Sequence, residues 1–143
     1  MQIIVTGHGN FATGLASTVQ MLAGQIKGVS YLDFTEKMSE EELAAQFEKA
    51  LQQDETAVFF CDLLGGTPYK QAVLLTPKYP SIAVVAGCNL GALLEIGLQA
   101  EMTSLTDAHQ LAQQLLTASQ AALNEFQPRR KQRPPEQSES DGI

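Results

Sequence analysis

Short apolar runs alternate with amphipathic stretches along most of this chain. Residues 2–6 form a β-branched run closed by Gly7, which predicts a buried strand. Phe11, Leu15, Val19 and Leu22 then recur at helical spacing, and Gly24 predicts the end of that helix. Val29–Phe34 fits a second strand. Ser39-Glu40-Glu41-Glu42 has the form of a capping box, and Leu43, Phe47, Ala50 and Leu51 continue an amphipathic helix from it. Ala57–Cys61 is apolar throughout, as a parallel strand covered on both faces requires.

The stretch Gly65-Gly66-Thr67-Pro68 predicts a helix over 68–75, with Thr67 as its N-cap and Pro68 in the first helical position. Residues 81–86 read as a fourth strand. Asn89 is placed to cap a helix through Leu93, Leu94 and Leu98. Thr106 or Asp107 caps a last helix carrying Leu111, Leu115 and Leu116. The pattern of residues 121–126 fits either a fifth strand or a fraying helix end. From Pro128 the composition turns to Pro, Gln, Ser and charge, which predicts a disordered tail over 128–143 after a domain over 1–127. Alternating strands and helices predict an α/β fold: a doubly wound, mainly parallel four-stranded sheet with helices on both faces. Such sheets bind ligands outside the carboxyl ends of their strands, so His8, Asp62 and Asn89 are expected along one edge.

Charge narrows the partners. The formal net charge of the chain is -7. Residues 1–127 carry five lysines, no arginine and thirteen acids, whereas 128–143 carry four bases and three acids. A domain without arginine is a poor nucleic-acid binder, because phosphate neutralisation supplies that affinity. Its acidic surface suits a basic patch on another protein. No apolar stretch approaches the roughly 18 residues needed to span a bilayer. The start of the chain lacks the basic region of a secretion signal. Cys61 and Cys88 form no CxxC, as in reduced thiols, and a cytoplasmic location without membrane insertion is expected.

His8, flanked by Gly7 and Gly9, is the first chemical candidate. A neutral imidazole nitrogen is a competent nucleophile near neutral pH, and flanking glycines let another molecule approach. The helix start that follows offers N–H groups and a positive dipole end to a phosphoryl group. A plain polar loop is the alternative. Asp62, at the end of an apolar strand, would be costly if buried unpaired. Against His8 it would accept one ring N–H, fix the tautomer and leave the other nitrogen free. Alone, it would cap a local turn. Gly65, Gly66 and Thr67 would present N–H groups and a hydroxyl to a bound phosphoryl. Asn89 reads first as a helix cap, and His109 as a solvated residue. The glycines around His8 lack the GxGxxG and P-loop patterns, and two histidines with two separated cysteines make no zinc set, so no cofactor and no metal are expected.

Residues 3–9 (IIVTGHG), residues 62–68 (DLLGGTP) and residues 86–90 (AGCNL) together resemble the EIIA components of the mannose family of the bacterial sugar phosphotransferase system, including its mannose, sorbose, N-acetylgalactosamine and gluconate-like branches. The resemblance spans about residues 1–126. It implies that His8 takes a phosphoryl group from phospho-HPr and passes it to a histidine of an EIIB component. Asp62 would orient and polarise it. Gly9, Gly65, Gly66 and Thr67 would cradle the phosphoryl, and Asn10 and Asn89 would line the rim. It further implies a homodimer exchanging an antiparallel fifth strand, which would make residues 121–126 a strand. EIIB is expected as a separate chain, and the membrane components carry the sugar. A phosphodonor subunit for dihydroxyacetone kinase, a non-catalytic regulatory or dimerisation module, and a small-anion binding protein are the rival readings. Phosphoryl transfer without metal or arginine leaves helix N-termini to stabilise charge, which suits a reversible relay between two histidines rather than hydrolysis.

Overall fold

The computed structural model describes residues 1–99 and 102–129. Four strands, β1 (Gln2–His8), β2 (Val29–Phe34), β3 (Ala57–Cys61) and β4 (Ile82–Ala86), alternate with helices α1 (Phe11–Ala23), α2 (Glu40–Gln53), α3 (Thr67–Leu74), α4 (Leu90–Gly97) and α5 (Ala108–Ala122). A 3-10 turn, Met102–Ser104, precedes α5. All strand pairs are parallel, in the order β2-β1-β3-β4. The chain therefore moves outward from β1 to β2, then crosses back to β3 on the other side of β1. The direction of winding reverses between β1 and β3.

Alternate residues of the strands feed two cores. Ile3, Val5, Val58, Phe60, Ala83 and Val85 pack against α1, α4 and α5. Ile4, Phe59 and Ile82 pack against Leu43, Phe47 and Leu51 of α2 and Ala72 of α3. Phe47 and Phe59 meet in a tilted pair with ring centroids 4.8 Å apart. Burying each such side chain is worth roughly 1.5–3 kcal/mol. β3 is buried at every position, which explains why its sequence is apolar without alternation.

Three caps follow the local chemistry. Ser39 Oγ accepts from the Glu42 amide at 3.1 Å, Asn89 Oδ1 from Ala92 at 2.9 Å, and Asp107 Oδ1 from His109 at 2.9 Å. The expected cap at Thr67 is corrected. The Lys70 amide donates to the Gly66 carbonyl at 2.9 Å, so Gly66 is the N-cap, α3 starts at Thr67, and Pro68 follows inside the first turn. Leu22, expected on the buried face of α1, stands exposed in its last turn, and Leu98 lies just past the end of α4 and is also exposed. Ala121 and Ala122 complete α5, so the helix-end reading holds for them. Residues 123–126 form no strand among the described residues, and Leu123 and Phe126 are largely exposed. Most of the expected tail, residues 130–143, lies outside the described residues. Among the described residues, no helix is long and apolar enough to cross a membrane.

Candidate functional site

β1 and β3 are neighbours, and their carboxyl ends carry His8 and Asp62. The ladder continues past the last strand pair: the Asp62 amide donates to the Thr6 carbonyl at 3.1 Å. Asp62 turns its carboxylate back over the end of β1. Its Oδ2 accepts from the His8 backbone amide at 2.9 Å and lies 2.7 Å from His8 Nδ1, while its Oδ1 accepts from the Leu63 amide at 2.8 Å. The Asp62 side chain is 10% exposed and that of His8 45%. Burial alone would raise the Asp62 pKa. The bonds from the His8 amide, the His8 ring and the Leu63 amide outweigh burial and hold it below the ordinary carboxylate value.

An ionised carboxylate only accepts hydrogen bonds, so in the neutral ring Nδ1 carries the proton and Nε2 keeps its lone pair. Nε2 makes no hydrogen bond among the described residues. The ring is confined on two more sides. Phe34, opposite His8 in the β1–β2 register, meets it edge-on with centroids 6.0 Å apart. Gly66 lies against the far edge of the ring: a Cβ there would sit 2.7 Å from His8 Cε1 and 3.5 Å from Nε2. No residue but glycine leaves that space to the imidazole.

Gly9 has φ +58, a left-handed turn that glycine adopts without strain, and its amide donates to the Phe34 carbonyl at 2.8 Å. Asn10 occupies the N-cap of α1 without a side-chain cap bond. The start of α1 is less open than expected, because the Thr13 amide is taken by Asp33 Oδ1 at 3.0 Å. Gly65 is exposed in the loop before α3, and Thr67 is half-buried at its first position. Asn89 lies at the end of β4, two strands from β1, with its side-chain oxygen engaged in capping α4. The structure thus brings His8, Asp62 and Gly66 into contact and leaves Asn89 on the same edge but apart from them. His109 is exposed in the first turn of α5.

Cys61 and Cys88 flank Asp62 and are held protonated. Burial, then the Asp62 charge, pushes the Cys88 thiol up to about 12 and Cys61 higher still. Among the described residues, no group of three or more His, Cys, Asp or Glu side chains gathers to hold a metal ion. Asp33 and Phe34 escaped the reading of the sequence. They stand 25 or more positions from His8 along the chain, and only the register of two strands places them beside it.

A family model described as "EIIA-man: PTS system fructose IIA component" matches residues 2–121. The sorbose-specific EIIA component of Lacticaseibacillus casei is 32% identical over 108 residues, covering 74% of this chain and 78% of that protein. The fructose-specific EIIA component of Bacillus subtilis is 27% identical, covering 75% of each. Among solved structures, phosphotransferase system component EIIA from Streptococcus agalactiae superposes with a TM-score of 0.80 at 28% identity, covering 87% of this chain and 96% of that one.

Proposed function

The chain belongs to the EIIA-man family of phosphotransferase-system IIA components, and from that premise we propose that it is a cytoplasmic phosphocarrier in which His8 accepts a phosphoryl group from phospho-HPr and passes it to a histidine of an EIIB component. The observation that carries this reading is the 2.7 Å pairing of His8 Nδ1 with Asp62, which leaves Nε2 without a partner among the described residues, on a side chain that is half-exposed at the sheet edge. A non-catalytic module would have no need to hold the two in hydrogen-bond reach.

The Nε2 lone pair attacks phosphorus, an N–P bond forms to His8, and the N–P bond to the donor histidine breaks, its electron pair returning to the donor ring. Asp62 holds the Nδ1 proton throughout and stabilises the positive charge that the ring acquires. The start of α3 lies against the Nε2 edge with no side chain bound to its amides. The Gly65–Gly66 turn and the Thr67 amide and hydroxyl there are suited to the phosphoryl oxygens. The reverse events deliver the group to EIIB. Bond broken and bond formed are alike, so the step is close to balanced and needs placement more than driving force. The phosphocarrier unit is residues 1–127, working as a homodimer in which the segment after α5, residues 123–126, pairs as an exchanged strand. The exposed Leu123 and Phe126 suit such a role. The sugar is handled by the membrane components.

Incubation with phosphoenolpyruvate, enzyme I and HPr tests this. The protein is expected to take up acid-labile phosphate on one histidine, and His8→Ala to abolish uptake. An unlabelled wild-type protein beside a labelled control EIIA, or undiminished labelling of His8→Ala, overturns it.

A further inference from the structure

The phosphocarrier reading gives no role to a carboxylate that stands beside the site. Asp33, near the end of β2, grips α1 with both carboxylate oxygens: Oδ1 accepts from the Thr13 amide at 3.0 Å and Oδ2 from the Thr13 hydroxyl at 2.6 Å. α1 has no cap of its own, since Asn10 makes no side-chain bond to it and its first turn holds no acid. Its first-turn amides would otherwise look only to water. Asp33 supplies that cap from another strand, twenty residues away.

Between β1 and α1 lie only Gly9 and Asn10. Nothing packs around the position a Gly9 Cβ would take, so no side-chain contact there holds the turn. It is held at its ends. On one side the Gly9 amide donates to the Phe34 carbonyl, and on the other Asp33 fixes Thr13. Both anchors are consecutive residues of β2, in register with Gly7 and His8. With the turn clamped, the His8 backbone amide and ring nitrogen meet the same oxygen of Asp62.

We propose that Asp33 is a positioning residue for phosphoryl transfer: by capping α1 from the neighbouring strand it locks the Gly9–Asn10 turn and so the orientation of the His8 ring. The proposal rests on His8 being the phosphoryl acceptor. Transfer between two imidazoles depends steeply on in-line placement, and a misplacement of about 1 Å costs as much as 100-fold in rate.

The test uses the full chain with Asp33→Ala, Asp33→Asn and Thr13→Val. Two quantities are read: the phosphorylation rate as a function of HPr concentration, and the 15N shifts of the His8 ring, which report its tautomer without any transfer. Asp33→Ala is expected to lower the saturating rate about 5–10-fold with the half-saturating HPr concentration unchanged. Its ring nitrogen shifts are expected to move towards mixed tautomers. Asp33→Asn keeps an acceptor for the Thr13 amide and is expected to recover most of the rate. Thr13→Val keeps the amide bond, loses the hydroxyl and is expected to fall between, which maintains the test should Asp33→Ala fold poorly. Wild-type rate and ring shifts in Asp33→Ala, or a loss confined to half-saturation, overturn the proposal. If the wild-type protein takes up no phosphate, the phosphocarrier reading fails, and the ring shifts still decide whether Asp33 orients His8.

Discussion

α1 and α3 begin on the same edge of the sheet, shortly after His8 and Asp62, and their first turns are completed in opposite ways. α1 already carries a carboxylate, donated by β2 onto the Thr13 amide. α3 has glycine at its N-cap, no side-chain cap bond and no acid in its first turn, and it lies against the Nε2 edge of His8. A helix start without a bound side chain attracts an anion, and one that holds a carboxylate much less so. The helix that follows the histidine in sequence is therefore a clamp. Under the proposed function, the helix that follows the aspartate is the one left to receive the phosphoryl.

The sharpest way to break this contrast is to fill the gap between α3 and the ring. Gly66→Ala places a methyl 2.7 Å from His8 Cε1. The exposed ring yields more cheaply than backbone, so the melting temperature is expected to change little. Phosphoryl uptake is expected to drop by about 30-fold or more as the ring leaves Asp62. Uptake at the wild-type rate would show that the α3 start is not next to the reacting nitrogen.

Asp62→Asn comes next, with uptake slowed about 10–100-fold, or roughly 1.4–2.7 kcal/mol of transition-state stabilisation, in a folded protein. The same variant sharpens the electrostatics. The folded pKa of Asp62 lies below its unfolded value, so its contribution to stability is complete above the ordinary carboxylate range and is lost as pH falls through that range towards the folded value. Urea unfolding between pH 6 and 3 is expected to show a steeper decline for the wild type than for Asp62→Asn. Parallel declines would remove that coupling.

Ser39→Ala removes a cap whose helix supports the opposite core. About 1 kcal/mol of stability, a fall of roughly 3–4 °C in melting temperature, is expected with unchanged transfer. A transfer defect there would mean that helix caps act on His8 in general and not through α1 in particular. The smallest effect is expected at the thiols. Burial raises both pKa values, so neither Cys61 nor Cys88 is expected to react with a thiol reagent at pH 8 until the protein unfolds. Prompt modification of Cys61 would mean that the β3 end opens in the native state.

Much was legible from the chain because its signals are local. The β-branched run before Gly7, the unbroken apolar run before Asp62, and the caps at Ser39, Asn89 and Asp107 each depend on residues within one or two turns of one another. Those signals set the number and kind of elements and put His8 and Asp62 at strand ends. The α3 cap was misplaced by one residue because Thr67 and Gly66 are both acceptable there, and the backbone bond from Lys70 chose between them. Strand order was decided only by tertiary structure. Periodicity records which faces are buried, and it is the same for every order of four parallel strands. That order makes β1 and β3 neighbours and so converts two strand ends 54 residues apart into one hydrogen-bonded pair. The clamp from Asp33 and the fit of Gly66 against the imidazole arise the same way, from register between segments distant in sequence, which no local pattern encodes.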